Sequence, residues 1–250
     1  MIVTELWEEL RASAFVPVAF ELKFGRGGLA PIEIPGQRLN ARLTGVIDRV
    51  DLWQDGPNRC YRVVDYKTGA KDLDLCDLSV GVGLQMLLYL FALQQSGQAL
   101  LGEAPIPVGV QYFPARMEVL SAKNKLSPEQ VAAEREKKLE RKGMVLDEPA
   151  VQKAMFPEEG SFRATKQRAD RRQFQALKGF VMDLLRQSVD AIASGDVTPN
   201  PYARGRDQSA CKFCPYGSVC RKSKGVQERN YRKITQEEFW KLVEEGKANG

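Results

Sequence analysis

Apolar and polar residues alternate along several short stretches of this chain, and cycle with helical period in others. Residues 43–53 (LTGVIDRVDLW) alternate as a strand, with Val46, Asp48 and Val50 on one face. Residues 60–66 (CYRVVDY) form a second strand, rich in β-branched and aromatic side chains. The turn residues of segment 54–59 separate them, which predicts a hairpin. Strands are also expected at 16–24, around 30–35 and at 107–113, with a glycine-rich turn at 25–28. A short helix over 4–13 has Leu6, Trp7 and Leu10 on one side. Residues 80–95 are apolar nearly all round, as in a buried helix. Gln85 interrupts that surface, and a buried amide needs partners. Segment 127–156 predicts two helices separated by Gly143, and 166–194 a long helix ending at Gly195. Thr235 and Glu238 form a capping box ahead of Phe239, Trp240 and Leu242.

These elements imply an α/β fold, a central mixed β-sheet of about five strands flanked by helices. A core over 1–202, with a helical insertion at about 123–160, would be followed by a cysteine segment and C-terminal helix over 203–250, the segment packing on the sheet edge.

Composition adds a class and a surface. The 250 residues are 43% hydrophobic and 28% charged, ordinary for a globular chain. No apolar run matches a membrane span and no signal-peptide pattern opens the chain, so a cytoplasmic protein without a membrane partner is expected. The net charge is +5, concentrated in two stretches. From Arg204 to Lys233 nine bases face two acids, and Arg163 to Arg172 adds five more against Asp170. Such patches suit a phosphate backbone, or else form a solvated or subunit-facing surface. Arg221, Lys222 and Lys224 are expected to add salt-sensitive affinity for nucleic acid.

The hairpin carries the candidate chemistry. If Trp53 pairs with Cys60, the register sets Asp48 opposite Asp65, with Cβ atoms about 5 Å apart. Two carboxylates so placed repel unless a cation lies between them. Lys67 shares the face of Asp65, whereas Asp51 points the other way. Such a set can hold a divalent cation beside a scissile phosphate. A surface hairpin with scattered charges is the plainer reading, but Val63 and Val64 indicate a strand buried on both faces. Gln85 and Tyr89 are four apart and share a helix face, from which both could reach the site. Alternatively, Tyr89 is core and Gln85 caps neighbouring backbone. Cys211, Cys214 and Cys220 are tightly spaced and point to metal, either zinc or iron–sulfur, whereas Cys60 and Cys76 lie elsewhere.

These strings resemble the RecB-type branch of the PD-(D/E)xK nuclease superfamily, with its pattern of GxxD, D-x-K and Q-x-x-x-Y. Gly45 to Asp48, Asp65 with Lys67, and Gln85 with Tyr89 match it, and Cys211 to Cys220 resembles the cysteine motif of AddB-type nuclease domains. The resemblance implies a Mg²⁺- or Mn²⁺-dependent deoxyribonuclease for double-strand-break processing. Asp48, Asp65 and the main-chain carbonyl of Tyr66 would be metal ligands, and Lys67, Gln85 and Tyr89 catalytic. DNA, single-stranded at the site, and a helicase–nuclease subunit would be the partners. The resemblance also places Glu21 near the site and favours a [4Fe–4S] cluster on the three cysteines, with a fourth ligand from upstream of this chain. The chain is thus expected to be the C-terminal part of a longer protein. Some members of the wider branch carry a motif histidine upstream of GxxD, whereas this chain has no histidine at all. A non-cleaving DNA-binding scaffold, or a free-standing iron–sulfur nuclease of CRISPR spacer acquisition, would be the competing functions. The intact Asp–Asp–Lys set argues against the first, and the absent fourth cysteine against the second.

Overall fold

The structure, a computed structural model, describes residues 2–69, 71–115, 125–157, 163–205, 208–220 and 227–246. Along the chain run α1 (Ile2–Ala12), β1 (Val16–Phe24), β2 (Ile32–Pro35), β3 (Asn40–Leu43), β4 (Gly45–Asp55) and β5 (Asn58–Lys67). Next come α2 (Leu75–Leu78), α3 (Gln85–Ser96), α4 (Gln98–Leu101), β6 (Ile106–Pro114), α5 (Pro128–Lys138), β7 (Lys142–Leu146) and α6 (Pro149–Met155). The remainder is β8 (Arg168–Ala169), α7 (Arg171–Ala193), β9 (Tyr202–Arg204), β10 (Gln208–Ser209), α8 (Gly217–Cys220), β11 (Arg229–Asn230) and α9 (Gln236–Glu245). The chain divides into two compact units. One comprises Met1–Ile32, Arg42–Leu73 and Gln85–Phe174, the other Glu33–Ala41, Asp74–Leu84 and Gln175–Gly250.

The first unit is built on a mixed six-stranded sheet in the order β1-β4-β5-β6-β7-β8. β5 and β6 are parallel, so their connection must cross over, and it carries α3 back onto both strands. Met86, Leu87, Leu90, Phe91 and Leu93 of α3 are buried, and Tyr61 of β5 donates its hydroxyl to the carbonyl of Leu90 at 2.8 Å. Burying such side chains contributes roughly 1.5–3 kcal/mol each.

Three elements differ from the sequence expectation. Helix α3 starts at Gln85 rather than near residue 80. The 166–194 helix starts at Arg171, because Arg168–Ala169 joins the sheet as β8. Segment 123–160 is not simply helical: Lys142–Leu146 is a strand paired with β6. Its four-residue apolar stretch is too short to show a period. Gly143 has φ +132°, and a Cβ there would lie 2.0 Å from the carbonyl oxygen of Val110. The glycine therefore marks close strand pairing rather than a break between helices.

A buried ionic cluster fills the sheet face that α1 covers. Arg49 on β4 and Arg62 on β5 both pair with Asp51, through Nε at 2.9 Å in each case. Glu9 of α1 meets Arg49 at 3.2 Å, Arg62 at 3.3 Å and Arg141 at 2.6 Å. Arg62 also donates to Gln111, which donates to Thr165. Burial alone would raise the pKa of Glu9, but the Arg141, Arg62 and Arg49 charges outweigh it and hold the carboxyl at about 2. This cluster fastens α1 to three separate parts of the first unit.

In the second unit, β9 pairs with β10 and β11, and the cysteine loop spans from β10 to β11. Arg204 of β9 holds Asp74 at 2.6 Å and Asp77 at 3.3 Å, and Tyr231 donates to Asp77 at 2.6 Å. These contacts and the pairing of β9 with both neighbours hold the base of the loop. The expected capping box of α9 is present.

Substituting Glu9→Gln leaves buried Arg141 without its carboxylate and Arg49 and Arg62 with Asp51 alone, and should cost about 3–5 kcal/mol. The folded carboxyl titrates below its ordinary value of 4.5, so its contribution is complete above that pH and is lost as pH falls towards 2. Urea unfolding at pH 7 and pH 3 should show an acid-labile component in the wild type that the variant lacks. Equal stability of the two proteins at pH 7 would refute the assignment.

Candidate active site

The β4–β5 ladder pairs Trp53 with Cys60 and continues to Arg49 with Val64, the register expected from the sequence. One step further sets Asp48 against Asp65 on the face covered by α3. Arg49, Asp51 and Arg62 take the opposite face, so Asp51 belongs to the ionic cluster. Asp48 accepts a hydrogen bond through Oδ2 from the backbone N–H of Tyr66 at 3.0 Å. Asp65 is only 3% exposed. Its Oδ2 lies 2.5 Å from Lys67 Nζ. Burial raises the Asp65 pKa, opposed by Lys67 and reinforced by the Asp48 charge. A buried carboxylate whose burial and facing carboxylate both disfavour its charged form fits a hard cation.

Tyr66 joins the two faces. Its hydroxyl accepts from Arg49 at 2.8 Å, and its ring packs edge-on against Phe113. Its backbone carries the N–H that holds Asp48.

The same row continues across the sheet in both directions. β6 sets Tyr112 beside Asp65, and β7 sets Lys142 beside Tyr112. On the other side, β1 pairs Phe20 with Arg49 and Leu22 with Ile47, which brackets Glu21 opposite Asp48. Glu21 has φ +48°, a left-handed conformation that costs a non-glycine residue about 1–3 kcal/mol and often marks functional sites.

Gln85 is exposed at the start of α3, not buried as its sequence context indicated, and donates to the Tyr89 hydroxyl at 2.7 Å. The Tyr89 ring is buried against Phe24, with centroids 5.7 Å apart. A Cβ at Gly45 would lie 2.7 Å from the Phe24 ring and 3.1 Å from that of Tyr89. The glycine three residues before Asp48 is thus the position where β4 lets α3 approach.

Among the described residues, several bases of these stretches are paired with acids. Arg163 pairs with Glu5 and Glu8, Arg168 with Asp147, Arg171 with Glu148, Arg204 with Asp74, and Arg232 with Glu238. Arg221, Lys222 and Lys224 lie outside the described residues. Cys211 is half-buried, while Cys214 and Cys220 are exposed. Among the described residues no group of three or more His, Cys, Asp or Glu is arranged to hold a metal ion, so the three thiols as placed do not form a ligand set. Cys60 is buried, and Cys76 Sγ accepts from the Ile234 N–H at 3.4 Å. Sequence reasoning missed the ionic cluster and the lysines beyond Tyr112. Their signal lies in strand register rather than in any local motif.

If the carboxylate pair binds a cation, Mg²⁺ or Mn²⁺ at a hundredfold excess over Kd should stabilise the chain by about 2.7 kcal/mol. Asp65→Ala should abolish the rise in thermal midpoint. An equal rise in both proteins would place the cation elsewhere.

Residues 1–221 match the PD-(D/E)XK nuclease superfamily. The chain is also similar to proteins named as the B-type subunit of an ATP-dependent helicase/deoxyribonuclease. It is 30% identical over 94% of its length to the one from Listeria monocytogenes, and 33% over 98% to that of Oceanobacillus iheyensis. For Clostridium acetobutylicum the identity is 32% over 95%. The chain spans only 22–23% of the length of these relatives. With a family match over 1–221 that includes the Asp48, Asp65 and Lys67 cluster, the chain belongs to the PD-(D/E)XK nuclease superfamily.

Proposed function

We propose that this chain is the nuclease domain of an AddB-type protein, hydrolysing DNA phosphodiesters with Mg²⁺ or Mn²⁺ beside a helicase partner in double-strand-break processing and recombination. The observation that carries the reading is the buried Asp65 carboxylate, paired with Lys67 and facing Asp48. The names of the relatives support the helicase partner and the DNA substrate. No described helix is long and apolar enough to cross a membrane.

In this reading Asp48, Asp65 and the Tyr66 carbonyl hold the cation. When bound, such a cation screens the phosphate charge and acidifies a coordinated water. Asp48 is oriented for this by the Tyr66 N–H, and Tyr66 by Arg49 behind it. Lys67 Nζ sets a positive charge beside the reacting phosphate, where negative charge develops. Gln85, steadied by Tyr89, is exposed where it can touch the strand being cut. The strand at the site is single.

The three cysteines form the second part of the proposal. Cys211, Cys214 and Cys220 take a [4Fe–4S] cluster in the full-length protein, completed by a fourth ligand from outside these 250 residues. The spacing of the three cysteines supports this.

Cleavage of an end-labelled single-stranded oligonucleotide with Mg²⁺ tests the catalytic reading. Asp48→Ala, Asp65→Ala and Lys67→Ala should each lose at least about 100-fold in rate. Wild-type rates in both carboxylate variants would sink it. Iron and sulfide analysis of the isolated chain should find far less than four irons per chain. A full, air-stable complement would show that the chain supplies every ligand itself.

A further inference from the structure

A cleft of about 610 Å³ opens beside Lys67. Lys67, Lys71, Lys137, Lys138, Lys142 and Lys166 line it, against the acids Asp72, Glu134 and Glu140. These lysines come from the end of β5, from α5, from β7 and from the segment before β8, so no single sequence run encodes them. Lys142 stands in the same row as Asp65, with Tyr112 between them. Two strand spacings separate the two rows of backbone, ~10 Å. Tyr112 forms the floor between, and Lys67 Nζ lies 5.9 Å from its ring centroid.

The acids set the spacing of the lysines rather than cancel them. Glu140 is nearly buried and holds Lys142 at 3.1 Å and Lys166 at 2.9 Å, so one carboxylate fixes two ammonium groups side by side. Glu134 pairs with Lys137 on the surface of α5. Six bases against three lining acids, with Asp65 behind Lys67, leave a net positive concave surface, and a cleft with low-dielectric walls focuses that field. The chemistry that answers a row of ammonium groups starting at a phosphodiester-cleaving site is a chain of phosphates. A cleft of this volume, within the range of small-molecule sites, takes nucleotides of one strand rather than both strands of a duplex.

We propose, resting on the nuclease reading, that this cleft is the track of a single DNA strand, with Lys71, Lys142 and Lys166 binding the phosphates that flank the one at Asp65. The track crosses the sheet from β5 over Tyr112 to β7. The α5–β7 segment, which the sequence presented as a charged helical insertion, is then part of the substrate site.

Binding in EDTA, where no cleavage occurs, tests the track separately from catalysis. The probe is a fluorescent dT12 titrated at several salt concentrations with the 250-residue chain. Each ammonium–phosphate contact on a single strand contributes about 0.7 to the slope of log affinity against log salt. Replacing Lys71, Lys142 and Lys166 by Ser should therefore reduce the slope by about 2, with the thermal midpoint read alongside. Glu134→Gln, which removes an acid from the rim, should tighten binding without touching a lysine. An unchanged slope in the triple variant, unchanged affinity in Glu134→Gln, or equal affinity for thymidine monophosphate and dT12 would overturn the proposal. Loss of cleavage in Asp65→Ala alongside such a result would leave the nuclease reading standing. Wild-type cleavage in Asp65→Ala would instead remove that reading, whatever the binding slopes.

Discussion

The pairing of Trp53 with Cys60 sets the arrangement of both faces of the sheet. Side chains on a strand alternate, so a slip of one residue would exchange the faces. In the observed register, Asp48 and Asp65 stand on the side of α3, while Arg49, Asp51 and Arg62 stand on the side of α1. A shifted strand would turn the Asp48 and Asp65 carboxylates into the Glu9 cluster and guanidiniums into the candidate site. The buried ion pairs therefore act as a register lock. They contribute less by their net energy than by the cost of every mispaired alternative.

Tyr66 is the pivot between the two faces. Its hydroxyl is tied to Arg49, and through Arg49 to Asp51 and Glu9, while its N–H aims Asp48. A functional side chain needs to be held without slack, and the groups that hold Asp48 lie behind the sheet, away from solvent. The two closest approaches of the backbone serve the same end. Gly45 admits the rings of Phe24 and Tyr89, and Gly143 lets β7 come against β6, which brings Lys142 into the row of Asp65 and Tyr112.

The second unit follows a different logic. A loop containing three cysteines is closed at its base by Arg204, Asp74, Asp77 and Tyr231. The Arg204 hydrogen bond holds the Asp74 carboxyl below its usual range.

What the sequence determined by itself was local. Alternation and turn residues set the hairpin and, with Trp53 paired to Cys60, its register, and the spacing of Asp65, Lys67 and Asp48 set the candidate chemistry. Helical period identified α3 and α7, although both begin later than that period indicated. Tertiary structure decided everything that depends on non-neighbouring strands. Four apolar residues around Gly143 carry no period, and only pairing with β6 makes them a strand. Gln85 lies at the solvent-exposed end of its helix because the preceding residues are not helical. Arg163, Arg168 and Arg171 read as a free basic run until the fold brings Glu5, Glu8, Asp147 and Glu148 to them. Likewise the Glu9 cluster and the lysine cleft join residues more than a hundred positions apart or drawn from four separate segments. A charge records its own sign in the sequence, but its partner is chosen by the packing.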